Sequence, residues 1–285
     1  VIAGQAKIAT TQLVPGTSAG TASMTVTQAT KYGAYDWKSF DIGKSASVTY
    51  QVPNSQSVSV NRVISPTSPS IIAGKLSSNG VLVVQNQSGV VFTQGAEVNV
   101  STLIASAPGI SDANARAGRL VFDQPAHPGA RVENHGTITV AQTGLAALVA
   151  PQVANSGVIR AQMGRVVLAG AEAHTVDLYG DGLLSIDVTR QVTQAPVGPD
   201  GIAAIALVTN SGTIIADGGT ILLTASAIDG LVQNLVTAGG AIQANTATTG
   251  SGRIAITAMG GNVTVTGTIA ARGTIAGSKG GQIEI

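Results

Sequence analysis

The 285-residue chain contains no cysteine, which excludes disulfides, thiolate catalysis, Fe–S clusters and zinc–cysteine sites together. Charged residues make up only 10% of the chain, where roughly 25% is usual for a soluble domain, and aromatics only 3%. With 15 Lys and Arg scattered among 14 acids there is no basic run to track a phosphate backbone, so nucleic acid is excluded as the main partner. Long hydrophobic runs are missing too. The longest uncharged stretches, such as Gly201 to Ala216 and Leu231 to Gly252, are broken by Asn, Gln, Thr and Gly, and a spanning helix needs about 20 apolar residues. Nor is the chain a candidate for disorder, because 44% of it is apolar and its net charge is +1. It begins at Val1 with neither a basic n-region nor an apolar h-region, so a signal peptide is either absent or already removed.

Helical periodicity is nearly absent, because almost every window holds Gly, Pro or a run of Thr, Val and Ile. Short alternating strands bounded by Gly or Asn recur instead. Asn134-His135-Gly136, Asn155-Ser156-Gly157 and Asn210-Ser211-Gly212 each place an aliphatic residue two positions after the glycine, and Val263 to Ala270 and Thr237 to Ile242 are looser copies. A second strand type, Gly-x-aliphatic-x-aliphatic, follows at Gly164, Gly219, Gly252 and Gly281.

The spacing is 21 residues from Gly136 to Gly157, 28 from Gly212 to Gly240 and 27 from Gly240 to Gly267. The 55 residues from Gly157 to Gly212 read as two or three periods with loops inserted. Periods of 20–30 residues built only from strands and glycine turns mark a solenoid. The expected fold is therefore all-β: a right-handed parallel β-helix, with Asn ladders at its corners, where Asn tolerates the left-handed conformation. About 13 coils would give a rod of roughly 60 Å. Ile138, Ile159, Ile214 and Ile269 should point inward in one column, and circular dichroism should report almost no helix.

Residues 1 to about 115 fit the repeat less well and hold the only Trp, all but one Tyr and two of the three Phe. They read as an irregular N-terminal cap, with Trp37 and Phe40 as its packing residues, followed by repeat coils over 116–285. The segment 190–201, with Pro196 and Pro199, is the candidate loop leaving the stack. Gly281 to Ile285 copies the second-strand pattern with Ile283 and Ile285 inward, which points to an open final coil that continues in a longer protein or stacks end to end in self-association.

The N-terminal third resembles a two-partner secretion domain of the filamentous haemagglutinin type. The resemblance rests on Trp37 to Gly43, Val48 to Pro53, Ser57 to Val63, Ser70 to Gly80, Val83 to Phe92 and Gly95 to Val100, whose order and spacing match the family from Trp37 to Val100. It implies an exported adhesin or fibre-forming exoprotein, reaching the bacterial cell surface by way of the periplasm. There the unfolded chain would be recognised by an outer-membrane barrel transporter with periplasmic recognition domains. Asn61 and Arg62 fall on the family's Asn-Arg-Val element, and Asn86 and Gly89 on its Asn-Pro-Asn-Gly-Ile element, from which this chain departs at Gln87, Ser88 and Val90. The alternative for Asn61 and Asn86 is a plain corner ladder. A chain without cysteine cannot be locked by disulfides before translocation, and a repetitive core suits coil-by-coil folding after it.

Catalytic chemistry is sparse. Gly16-Thr17-Ser18-Ala19-Gly20 matches the nucleophile elbow formally, but Pro15 precedes it and a strand-like Thr21 to Thr27 follows, where the elbow needs a strand before and a helix after. Three histidines, His127, His135 and His174, have no metal-ligand spacing, and His135 reads as an exposed corner. Glu172, His174, Asp177, Asp181 and Asp187 carry the alternative reading, a carbohydrate-binding or carbohydrate-active β-helix with paired carboxylates, against the simpler reading of Asp177 to Gly182 as a turn. A host or cell-surface glycan is the partner that reading implies. No catalytic residue, metal or cofactor is assigned. Asn86, Asn99 and Asn262 open sequons that only permit glycosylation.

Overall fold

In a computed structural model, which describes residues 1–12, 22–177, 185–198, 201–247, 250–274 and 277–285, the chain winds into a parallel β-helix. Three parallel ladders run along it. One inner column of the first ladder reads Met24, Val48, Leu76, Val98, Ile138, Ile159, Ile214, Ile242 and Ile269, each residue paired with the next across adjacent strands. From Leu76 to Ile242 this column is buried to within 1% of full burial, and Met24 and Ile269 are half-buried at its ends. The expected isoleucine column is thus present, with Ile242 as its missing rung.

That column has nine rungs, not thirteen. At about 4.8 Å per step the rod is about 38 Å long, not 60. Part of the error lies in the 55-residue interval: Ile159 pairs directly with Ile214, as Val98 does with Ile138, so the interval is one coil, with its surplus residues outside the stack. The surplus forms strands Ala173–Asp177 and Ser185–Arg190, which join Val121–Phe122 from an earlier excursion in an antiparallel flanking sheet. Beyond Arg190 the chain rejoins the stack at Val192, which is fully buried and bridges Ala227. The parallel ladders continue from strand Glu97–Ser106 directly to strands Thr137–Val140 and Leu145–Ala150, with the first excursion looping out between them, and residues 24 to 100 supply the first four rungs of the column. Strand Ala6–Gln12 lies antiparallel on Ala22–Gln28 and covers the first strand edge. Among the described residues, helix is confined to Asp112–Arg116, capped by the Ser111 hydroxyl.

The recurrent glycines are a packing requirement. A Cβ on Gly157, Gly212, Gly240 or Gly267 would lie 2.0–2.2 Å from the carbonyl oxygen of the equivalent glycine one coil back. Stacked turns approach that closely only without side chains. Beside them, Asn134 donates its amide to Asn155 Oδ1 at 2.8 Å, and Asn155 donates to Asn210 Oδ1 at 2.7 Å, in a buried ladder. These asparagines are not in the left-handed region. That conformation falls on Thr143, Met163 and Gly218, each just before the glycine that opens a second-type strand.

Strand Leu145–Ala150 is buried at every residue, which a strand with one wet face would not be. Its inner residues join the coil interior. Its outer ones, Leu145, Ala147 and Val149, join Val83, Ile104, Val167, Phe122 and Val176 in a second core beneath the flanking sheet.

Candidate functional site

Strand Val58–Val63 alternates sides, so the adjacent Asn61 and Arg62 enter different environments. Asn61 points into the coil and is fully buried. Its Oδ1 accepts from Trp37 Nε1 at 2.9 Å and from the Tyr50 hydroxyl, and its amide donates to Val83 O at 3.2 Å. Burial pushes the Tyr50 hydroxyl well above its ordinary pKa, so it stays a neutral donor. One rung lower, Gln28 Oε1 accepts from the Tyr35 hydroxyl at 2.9 Å and Ser59 Oγ at 2.7 Å. The opening coils therefore enclose a polar network of Gln28, Tyr35, Tyr50, Ser59 and Asn61, whereas the later coils bury chiefly aliphatics beside their corner asparagines. Trp37 closes it, edge-on to Phe40 at 5.7 Å between ring centroids.

Arg62 points outward yet is only 3% exposed, because the excursion holding helix Asp112–Arg116 covers it. Its Nε and Nη2 donate to Asp36 Oδ1 at 2.9 and 2.7 Å, Nη2 also reaches Asp112 Oδ1 at 2.7 Å, and Nη1 donates to Ile110 O at 3.1 Å. Burial works against its charge, but the Asp112 and Asp36 carboxylates outweigh it and raise the Arg62 pKa. In return the Arg62 guanidinium holds the Asp112 carboxyl below its ordinary value. Arg62 thus fastens the first excursion to the sheet.

Asn86 to Gly89 form a corner that joins three segments. Asn86 is 1% exposed and donates its amide to Ser68 O and Ser70 Oγ, both at 3.0 Å, while its Oδ1 accepts from Ser88 N at 2.8 Å. Gln87 donates to Pro125 O at 2.8 Å, and Ser88 Oγ lies 3.0 Å from His127 Nδ1. Gly89 has φ +110°, and a Cβ there would sit 2.3 Å from Arg131 O. Two of the three positions where the chain departs from the family pattern, Gln87 and Ser88, bind the returning end of the first excursion.

The carboxylate group does not converge. His174 faces the buried side of the flanking sheet, stacked on Phe122 at 4.3 Å, whereas Asp177, at the end of the same strand, is exposed. Glu172 accepts from Thr193 N and Oγ1, both at 2.8 Å, and Asp187 is exposed. Asp181 and the Gly16–Gly20 segment lie outside the described residues, though the strand expected after that segment is present as Ala22–Gln28. His135 is an exposed corner bonded to Ser156 and Glu133, as expected. Of the sequon asparagines, Asn99 and Asn262 are exposed and Asn86 is enclosed.

The family model described as TPS secretion domain matches residues 4–285. The chain belongs to this family, the secretion domains of two-partner systems. TPS domains are recognised by TpsB outer-membrane transporters, and their exoproteins cross the outer membrane by way of the periplasm. The crystal structure of the HMW1 secretion domain from Haemophilus influenzae superposes with a TM-score of 0.69 at 25% identity, over 94% of this chain and 66% of that one. Two heme/hemopexin-binding proteins of Haemophilus influenzae are 46% and 45% identical over 83 residues. That stretch is 29% of this TPS domain but only 9% of either relative.

Proposed function

We propose that this TPS domain directs export of the protein that carries it, through a cognate outer-membrane transporter whose periplasmic domains read Asn61, Arg62, Asn86 and Gly89 in the unfolded chain. The observation behind this reading is the burial of Asn61, Arg62 and Asn86 in the folded domain. A partner contacting these side chains meets them before the coils close. The exported protein acts at the bacterial cell surface as an adhesin or fibre-forming exoprotein. The likeness to the heme/hemopexin-binding proteins covers too small a share of them to bear on what this exoprotein binds, but it supports a common export route.

Deleting residues 37–100 should abolish export, and undiminished export of the remainder would defeat the proposal. Recognition and folding separate in a binding assay with urea-unfolded chain and the transporter's periplasmic region. Asn86→Ala and Arg62→Ala should weaken capture of the unfolded chain by about tenfold, the loss of one or two charge-assisted or neutral hydrogen bonds. Unchanged capture would restrict these residues to folding.

A further inference from the structure

His174 is fully buried, and neither ring nitrogen has a hydrogen-bond partner among the described residues. Its ring lies nearly parallel to Phe122, 7° between planes, and its strand neighbour across the sheet is Val188. It takes an aromatic position beside Phe122 in an apolar layer. From this geometry we infer that His174 is an acid-sensitive latch, and that its protonation lifts the flanking sheet off the helix and uncovers the apolar outer face formed by Ala147, Val149, Val167 and Ala169.

Among the described residues, the charged groups around it offer the protonated ring no counter-ion. On its own strand Asp177 faces solvent, and the adjoining Glu172 is engaged by Thr193. On the neighbouring strand Asp187 and Arg190 are exposed, and so is Asp123, next to Phe122. Beneath, strands Leu145–Ala150 and Arg165–Gly170 present apolar residues, with Arg165 at the outer end. In the first excursion Asp112 is held by Arg62, and Arg116 donates to Ile2 O. Burial alone lowers the His174 pKa from 6.5 to about 3. The sign follows from linkage: a ring that can protonate only when the sheet is open favours the open form increasingly as pH falls from 6.5 toward 3. Between pH 7.5 and pH 5 the closed-to-open ratio should fall about thirtyfold. Asp112, whose folded pKa lies below 3.8, contributes only at lower pH.

Hydrogen exchange of the intact domain at pH 7.5 and 5.0, corrected for the intrinsic pH dependence of exchange, tests the latch. Protection of strands Ala173–Asp177 and Ser185–Arg190 should drop by about thirtyfold while strand Thr137–Val140 keeps its protection. His174→Phe, which preserves the stack, should remove the drop, and His127→Gln should leave it. No drop in the wild type, the same drop in His174→Phe, or a drop shared equally by the coils would overturn the inference. Should His174→Phe fail to fold, NMR titration of the wild-type ring decides: protonation below 6.5 that coincides with the loss of protection supports the latch, and titration near 6.5, or loss of protection without ring protonation, refutes it.

Discussion

Replacing Asn155 by alanine removes the middle of the amide ladder and leaves two buried partners without it. Asn210 Oδ1 loses the donor at 2.7 Å. Asn134 Nδ2 loses its 2.8 Å acceptor and retains only contacts at 3.4 and 3.5 Å with Gly136 O and Val158 O. Since all three residues are at most 1% exposed, water cannot replace the lost bonds without opening the coil. Each orphaned buried group costs about 1–3 kcal/mol, so Asn155→Ala should cost about 2–4 kcal/mol. Asn210→Ala orphans one ladder partner and should cost about half as much. Because both variants break the same bond, the double variant should cost about 1 kcal/mol less than the sum of the two. Urea unfolding followed by far-UV circular dichroism measures these differences, with the single Trp37 as a fluorescent reporter of the opening coils. A cost for Asn155→Ala below about 0.5 kcal/mol, or equal costs for the two single variants, would refute the ladder as a coupled unit.

Gly212→Ala places a methyl 2.2 Å from Gly157 O, and because the obstacle is backbone the domain should fold poorly or not at all, read as loss of soluble, protease-resistant product. Thr143→Gly relieves a left-handed threonine at φ 63° and should be neutral or stabilising by up to about 1 kcal/mol in thermal unfolding. Arg62→Met removes the fastening of the first excursion; because Asp112 is largely exposed and Asp36 partly so, the cost should be about 1–3 kcal/mol, below that of breaking a fully buried pair, with new proteolysis near residues 110–116. Asp112 has a depressed folded pKa, so its contribution is present above the ordinary carboxylate value and is lost as pH falls below it. Acid below about pH 4 should therefore loosen that helix in the wild type and change little in Arg62→Met, measured by hydrogen exchange.

The rungs were legible because one physical constraint writes them into sequence: stacked turns that touch backbone to backbone admit only glycine, and the adjoining corner rewards an amide that can both donate and accept. Gly136, Gly157, Gly212, Gly240 and Gly267 carried the register for that reason. The flanking sheet was not legible. Its strands obey no period, and its contacts join residues from separate excursions, so the 55-residue interval looked like extra coils. A hint lay in Leu145–Ala150, which has no polar residue on either face and therefore requires cover on both. At the candidate site, neither burial nor direction followed from residue type. Asn61 resembled a corner asparagine, yet the strand phase turns it into the interior, where Trp37 and Tyr50 find it. Arg62 became a buried clamp only because the helix at 112–116 folds back over it, a contact 50 residues away in sequence.

The flanking sheet also imposes an order in time. Phe122 leaves the first excursion and meets its partner His174 only after strands Leu145–Ala150 and Arg165–Gly170 have been laid down between them. A chain delivered from its N-terminus would complete those rungs with Val83, Ile104, Ala147 and Val149 facing water, and would cover them later in a single step. During that interval the growing helix carries an adhesive stripe along one side. The interval ends when the second excursion arrives, so the speed of delivery past residue 190 sets how long the stripe is open to other molecules.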